Sequence, residues 1–65
     1  MQPHEERVVQ EHKDLAEKIT KLEAFLQSKM FHYSINDSAK NQLLRQRDYM
    51  VGYRDVLAER IENFA

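Results

Sequence analysis

The chain has no cysteine and no tryptophan, and it has only one glycine and one proline among its 65 residues. Disulfide bonds are therefore excluded, and so are the glycine-rich loops that cradle phosphate groups in many nucleotide-binding enzymes. A chain of this length is small for one hydrophobic core to stabilise. We expect a single domain, residues 1–65, whose stability depends on packing alone or on contacts with other copies.

Long apolar runs and an excess of one charge are also missing. Ten Lys and Arg residues balance eleven Asp and Glu residues, which gives a formal net charge of -1. This balance argues against a basic nucleic-acid-binding arm and against a polybasic membrane anchor. No segment approaches the roughly 18 apolar residues of a membrane span, and the first residues lack the pattern of a secretory signal. We expect a cytoplasmic protein whose partners include no membrane and no nucleic acid.

The first half of the chain has the spacing of an amphipathic helix. Residues 4–30 contain neither glycine nor proline, and apolar residues recur at gaps of seven, four, three and four. These residues are Val8, Leu15, Ile19, Leu22 and Leu26. Such an a/d heptad pattern predicts a helix over residues 4–30 that buries one seam, with His12 at a core position of that seam.

The second half predicts a turn followed by another helix. Residues 31–36 show no helical stripe, and Ser34, Asn36 or Asp37 is suited to cap the helix that follows. Over residues 37–64, apolar residues recur in neighbouring pairs every seven positions. The main seam comprises Leu43, Met50, Leu57, Ile61 and Phe64, with Arg47 and Arg54 at its edge, and a second row comprises Leu44, Val51 and Ala58. This helix is apolar over a wider arc than one partner helix covers.

These patterns predict an all-α fold, an antiparallel two-helix hairpin that self-associates into a helical bundle or ring. Two helices alone leave the second row in water unless another subunit covers it, so we expect a homo-oligomer, either a dimer or a larger assembly. The expected oligomer interface comprises Leu44, Val51, Gly52, Ala58 and Phe25. Gly52 lies inside a helix, where glycine is unfavourable, which indicates a close helix crossing, a neutral surface position or a close ligand approach.

Catalytic and metal-binding signatures are weak. None of the three serines has a G-x-S-x-G setting, and Val9 stands three residues before His12, where the Glu-x-x-His motif of four-helix metal sites has a glutamate. We therefore predict no catalytic residue, no metal and no cofactor, and we expect a protein that is not an enzyme.

The middle of the second helix carries the most suggestive side chains for binding. Three arginines and two tyrosines fall within three turns, namely Arg45, Arg47, Tyr49, Tyr53 and Arg54. Arginine forks bind phosphates and tyrosine rings stack on bases, so this set suits a flat, anionic ligand. Two other interpretations stay open: Arg47 and Arg54 pair with acidic residues of the first helix such as Glu11, Asp14 and Glu23, or the patch anchors a protein partner.

Several segments together carry a resemblance to a known family. They are His4-Glu5-Glu6-Arg7-Val8-Val9-Gln10-Glu11, Leu15, Lys18, Lys21-Leu22-Glu23-Ala24-Phe25, Leu44-Arg45-Gln46, Met50, Tyr53, Val56-Leu57-Ala58-Glu59-Arg60-Ile61 and Phe64. The chain resembles a family of short helical proteins of phages and prophages, related to a crAss-like phage gene product. The resemblance spans nearly the whole chain but departs at the turn, and its motifs are packing and charge patterns.

The resemblance implies a viral accessory protein that acts in the cytoplasm of a bacterial host. By analogy with other small helical phage proteins, we expect it to counter host defence by binding, preferably by sequestering a nucleotide-derived immune signal of cyclic nucleotide or cyclic ADP-ribose type. The alternative is a non-catalytic interaction module that binds and inhibits a host protein through Leu44, Val51 and Ala58 together with Phe25 or Tyr53.

Overall fold

A computed structural model describes residues 1–64 as a helical hairpin. The elements are α1 (Pro3–Leu26), α2 (Lys29–Ser34) and α3 (Asp37–Glu62), and this described part contains no strand. The two long helices pack against each other in an elongated body of 47 × 15 × 13 Å. The predicted all-α hairpin is confirmed, while its self-association stays a prediction. Ala65, the last residue of the predicted domain, lies outside the described residues.

The core is the seam between α1 and α3. Ile19 and Leu57 are the most deeply buried side chains, with 1% and 0% of their surface exposed. Val8 and Leu15 complete the buried cluster, and the partly buried side chains packed against it are Met50, Val51, Ile61 and Phe64. Because burying a large aliphatic side chain contributes roughly 1.5–3 kcal/mol, these few residues provide most of the energy that joins the helices.

The second row of α3 is more covered than the sequence predicts. Val51 packs against the core cluster, and Leu44 and Ala58 are half-buried. The expectation that this row stays in water without a second subunit is therefore wrong, because one flank of the hairpin already covers part of it. Phe25 also has a contact within the chain, since its ring meets that of Phe31 with centroids 6.1 Å apart.

The connection between the long helices contains a helix of its own. The prediction of a non-helical turn over residues 31–36 is wrong, since α1 ends at Leu26 and α2 covers Lys29–Ser34. Ser28 causes the break: its Oγ donates to the carbonyl oxygen of Phe25 at 2.6 Å and accepts from the backbone N–H of Phe31 at 3.3 Å. A serine that caps a new helix competes with continuation of the old one.

Helix α2 closes the connected end of the hairpin. It buries Phe31, which makes an edge-to-face contact with Phe25 and lies 5.8 Å from the Lys40 ammonium group. The same ammonium group donates to the carbonyl oxygen of His32 at 3.0 Å. Asn36 then caps α3 by accepting from the N–H of Ala39 at 2.8 Å, one of the three caps that the sequence allows. Helix α3 ends at Glu62, two residues before the predicted end.

Gly52 has no steric role within the described hairpin, because a Cβ atom added there meets nothing within 4 Å. We therefore expect Gly52→Ala to raise the free energy of unfolding by about 1 kcal/mol, the usual difference between the two residues inside a helix. Urea denaturation at fixed protein concentration measures this change. Lys13→Gly, at an exposed position of α1, is the calibration and should lower stability by a similar amount. Loss of stability or of an oligomer in Gly52→Ala would instead show that a second copy approaches the backbone at this position.

Candidate functional site

A groove along the outer side of α3 brings together part of the predicted arginine and tyrosine set. Its volume is about 630 Å³, and its lining residues are Gln42, Arg45, Gln46, Tyr49, Met50 and Tyr53. Three of the five predicted ligand-binding residues thus share one surface: Arg45, Tyr49 and Tyr53. They are spaced four residues apart, which places them on one face of a helix.

Arg47 and Arg54 are not part of this groove. Each residue turns a helix by about 100°, so these two arginines lie on the opposite flank of α3 from the tyrosines. Each pairs with the aspartate that follows it, Arg47 with Asp48 at 3.0 Å and Arg54 with Asp55 at 3.4 Å. Their side chains are only about a third exposed, at 34% and 33%, so their charges are already engaged at the edge of the seam.

The ion pairs that the sequence suggested between these arginines and α1 are wrong. The carboxylates next to Arg47 and Arg54 come from α3 itself, and not from Glu11, Asp14 or Glu23. Arg45 differs from both, since no carboxylate among residues 1–64 lies within 4 Å of it and its side chain is exposed. Arg45 is therefore the arginine of this set best placed to meet a ligand anion.

The contact between Tyr53 and Glu11 joins the two long helices beside the groove. The Tyr53 hydroxyl donates a hydrogen bond to the Glu11 carboxylate, 42 residues away in sequence. This hydrogen bond, supported by desolvation and by the nearby negative charge, raises the pKa of Tyr53 above its ordinary value of 10.0. The phenol therefore stays protonated as a donor throughout the physiological pH range.

Tyr53 also lines a second depression, which lies between α1 and α3. Its volume is about 340 Å³, and its charged lining residues are Arg7, Glu11, Asp14 and Lys18. These four residues recur at gaps of four, three and four, the spacing of one helix face. That spacing was visible in the sequence, but only the hairpin register shows that this stripe adjoins Tyr53. The predicted ligand-binding set also leaves out Gln42 and Gln46, although both residues line the α3 groove.

The predicted interface residues do not form one exposed patch. Leu44, Val51 and Ala58 are half-buried on one flank of α3, whereas Gly52 is exposed. Phe25 is occupied by the contact with α2 described above. Their shared role in an oligomer stays a prediction.

The described residues were also compared with the requirements of a metal site and of a membrane span. Residues 1–64 hold no group of three or more His, Asp or Glu side chains arranged to bind a metal ion. Within that same range, none of the helices has the length and hydrophobicity needed to cross a membrane.

Comparison with known proteins identifies a family. A family model described as Sequestin matches residues 2–63, nearly the whole chain. No curated protein and no solved structure matches significantly.

The Tyr53–Glu11 contact predicts that the Tyr53 phenol ionises at a higher pH than an ordinary tyrosine. Because the raised pKa reflects a proton held more tightly in the folded state, the stabilisation is present below pH 10 and is lost as Tyr53 ionises at higher pH. Ultraviolet difference titration of the native chain against Tyr53→Phe isolates this phenol. Glu11→Gln should move its midpoint down towards 10, while Glu17→Gln, elsewhere on α1, should leave it unchanged. A midpoint that does not respond to Glu11→Gln would contradict the contact.

Proposed function

The chain belongs to the Sequestin family, whose name denotes binding and sequestration rather than catalysis, and we propose that it sequesters a nucleotide-derived immune signal. The ligand class is a cyclic nucleotide or a cyclic ADP-ribose type of molecule. In this proposal the protein is a phage-encoded accessory protein that counters defence in the bacterial cytoplasm by lowering the free concentration of the signal.

The observation that carries this proposal is the α3 groove with its two tyrosines and its arginine. Tyr49 is 76% exposed and Tyr53 is 46% exposed, so both rings offer surface on which a base can stack. Arg45 has no carboxylate partner among the described residues, so its guanidinium group can donate two hydrogen bonds to a phosphate. Tyr53 is eight positions after Arg45, which is about 12 Å along a helix, so the arginine and this ring can contact different parts of one ligand.

Self-association forms part of the proposal because the hairpin is small. Only six apolar side chains are buried among the described residues, two of them in or near the connection between the long helices. A second copy that covers the half-buried row Leu44, Val51 and Ala58 would add apolar burial that one hairpin lacks. A homo-oligomer also supplies several ligand sites in one assembly.

The alternative, a module that inhibits a host protein, has weaker support. Its proposed docking row includes Val51, which packs on the hairpin's own core, and Phe25, which contacts Phe31. Both side chains therefore have less surface to offer than the sequence suggested, to a host protein and to a second copy alike, and it is the α3 groove that favours sequestration.

Native mass spectrometry tests the proposal. The mass of the protein is measured alone and after incubation with a panel of cyclic and ADP-ribose-derived nucleotides, and we expect an oligomer that gains nucleotide masses in a fixed ratio to its subunits. Arg45→Ala should lower affinity roughly 10-fold or more, because a charge-assisted hydrogen bond contributes about 1.5–3 kcal/mol. Tyr49→Ala should lower it by a similar factor through lost stacking.

Arg47→Ala is the matched control, since it removes an arginine from the same helix but outside the groove. It should leave affinity nearly unchanged. Retention of no nucleotide at all, together with stoichiometric capture of a host protein, would overturn the proposal in favour of the alternative. A loss in Arg47→Ala equal to that in Arg45→Ala would overturn the groove as the site.

A further inference from the structure

The depression between α1 and α3 has a different chemistry from the α3 groove that it adjoins. The lining surface of the groove is mainly apolar, whereas the depression presents two carboxylates between two cations along α1. Tyr53 lines both, so the two form one continuous surface with a phenol at the junction.

The two carboxylates of the depression are held in place. Glu11 accepts from Tyr53, and Asp14 accepts from the Gln10 side-chain amide at 2.8 Å. An ionised carboxylate has about four acceptor positions, so each retains capacity for further donors. Hydroxyl groups are suitable donors, and a carboxylate that binds ribose hydroxyls is a recurrent feature of nucleotide sites.

The antiparallel direction of the helices decides which of the two cations lies at the end of the depression nearer to Tyr49. Since α1 and α3 are antiparallel and Tyr53 meets Glu11, residues after Glu11 lie opposite residues before Tyr53. Lys18 is therefore on the side of Tyr49, while Arg7 is at the far end of the depression. An ammonium group at this position suits a phosphate that extends from a sugar bound at Glu11 and Asp14.

Resting on the proposed function, we infer that the ligand site crosses Tyr53 into this depression and binds a ribonucleoside phosphate. The base lies on Tyr49 and Tyr53, with the amide of Gln42 available to its edge. The sugar hydroxyls donate to Glu11 and Asp14, and the phosphate pairs with Lys18 on α1, which the register places level with Arg45, the phosphate partner on α3. The mixed charge of the depression thus selects a ribose phosphate over inorganic phosphate or a free base.

Calorimetric titration with three probes separates these contacts: ADP, 2′,3′-dideoxy-ADP and adenosine. In the native protein we expect ADP to bind most tightly. Lys18→Ala should weaken ADP roughly 10-fold and leave adenosine unaffected, because adenosine has no phosphate. Glu11→Gln should reduce the preference for ADP over the dideoxy analogue. Lys18→Arg should restore most of the affinity for ADP, which excludes a folding defect as the cause.

Lys13→Ala is the control, since it removes an equal charge from another face of α1. Equal weakening of ADP and adenosine by Lys18→Ala, or an equal effect of Lys13→Ala, would overturn the assignment of Lys18. Failure of the native protein to prefer ADP over adenosine and inorganic phosphate would overturn the inference as a whole. The proposed function would survive that result if the mass experiment still found a retained nucleotide, and would fail with it if no nucleotide were retained.

Discussion

The packing of Leu57 against the apolar seam of α1 sets the register on which the other features depend. With only two long helices, the hairpin buries one seam, and Ile19 and Leu57 are its most enclosed members. A shift of one helical turn along this seam would move every cross-helix pair by about 5.4 Å. Tyr53 would then no longer meet Glu11, and the depression between the helices would lose its junction with the α3 groove. The core therefore positions the candidate site as well as stabilising the fold.

Helical geometry also divides the charged residues of α3 into two groups with different roles. Arg47 and Arg54 flank the seam, where their side chains are partly covered and pair with the more exposed Asp48 and Asp55. These neighbouring ion pairs remain solvent-accessible and contribute little to stability, but they neutralise two of the three arginines in the predicted ligand-binding set. Arg45 faces outward on the tyrosine side. A chain with a net charge of -1 can in this way offer a local cation without a basic surface.

Sequence reasoning predicted the seam well because its signal is periodic. Val8, Leu15, Ile19 and Leu57 follow the heptad spacing, and each is buried. The short helix α2 was missed because its cause is a single serine: Ser28 ends α1 and starts α2 within a stretch that has no glycine or proline. The arginine and tyrosine set was grouped by closeness in sequence, but neighbouring positions such as Tyr53 and Arg54 point about 100° apart. The depression could not be predicted without the register of α1 against α3, because long-range packing decides that register.

The position of the candidate site links ligand binding to the stability of the fold. Its proposed residues come from both long helices, with Glu11, Asp14 and Lys18 on α1 and Tyr49 and Tyr53 on α3. A ligand that contacts both helices binds the folded hairpin and not the unfolded chain, so at 100 times its Kd it adds about 2.7 kcal/mol to stability. For a chain with so small a core, that contribution is a substantial part of the total. A sequestering protein of this size therefore has a physical reason to place its site across the helix pair: the same contacts that retain the ligand hold the helices together.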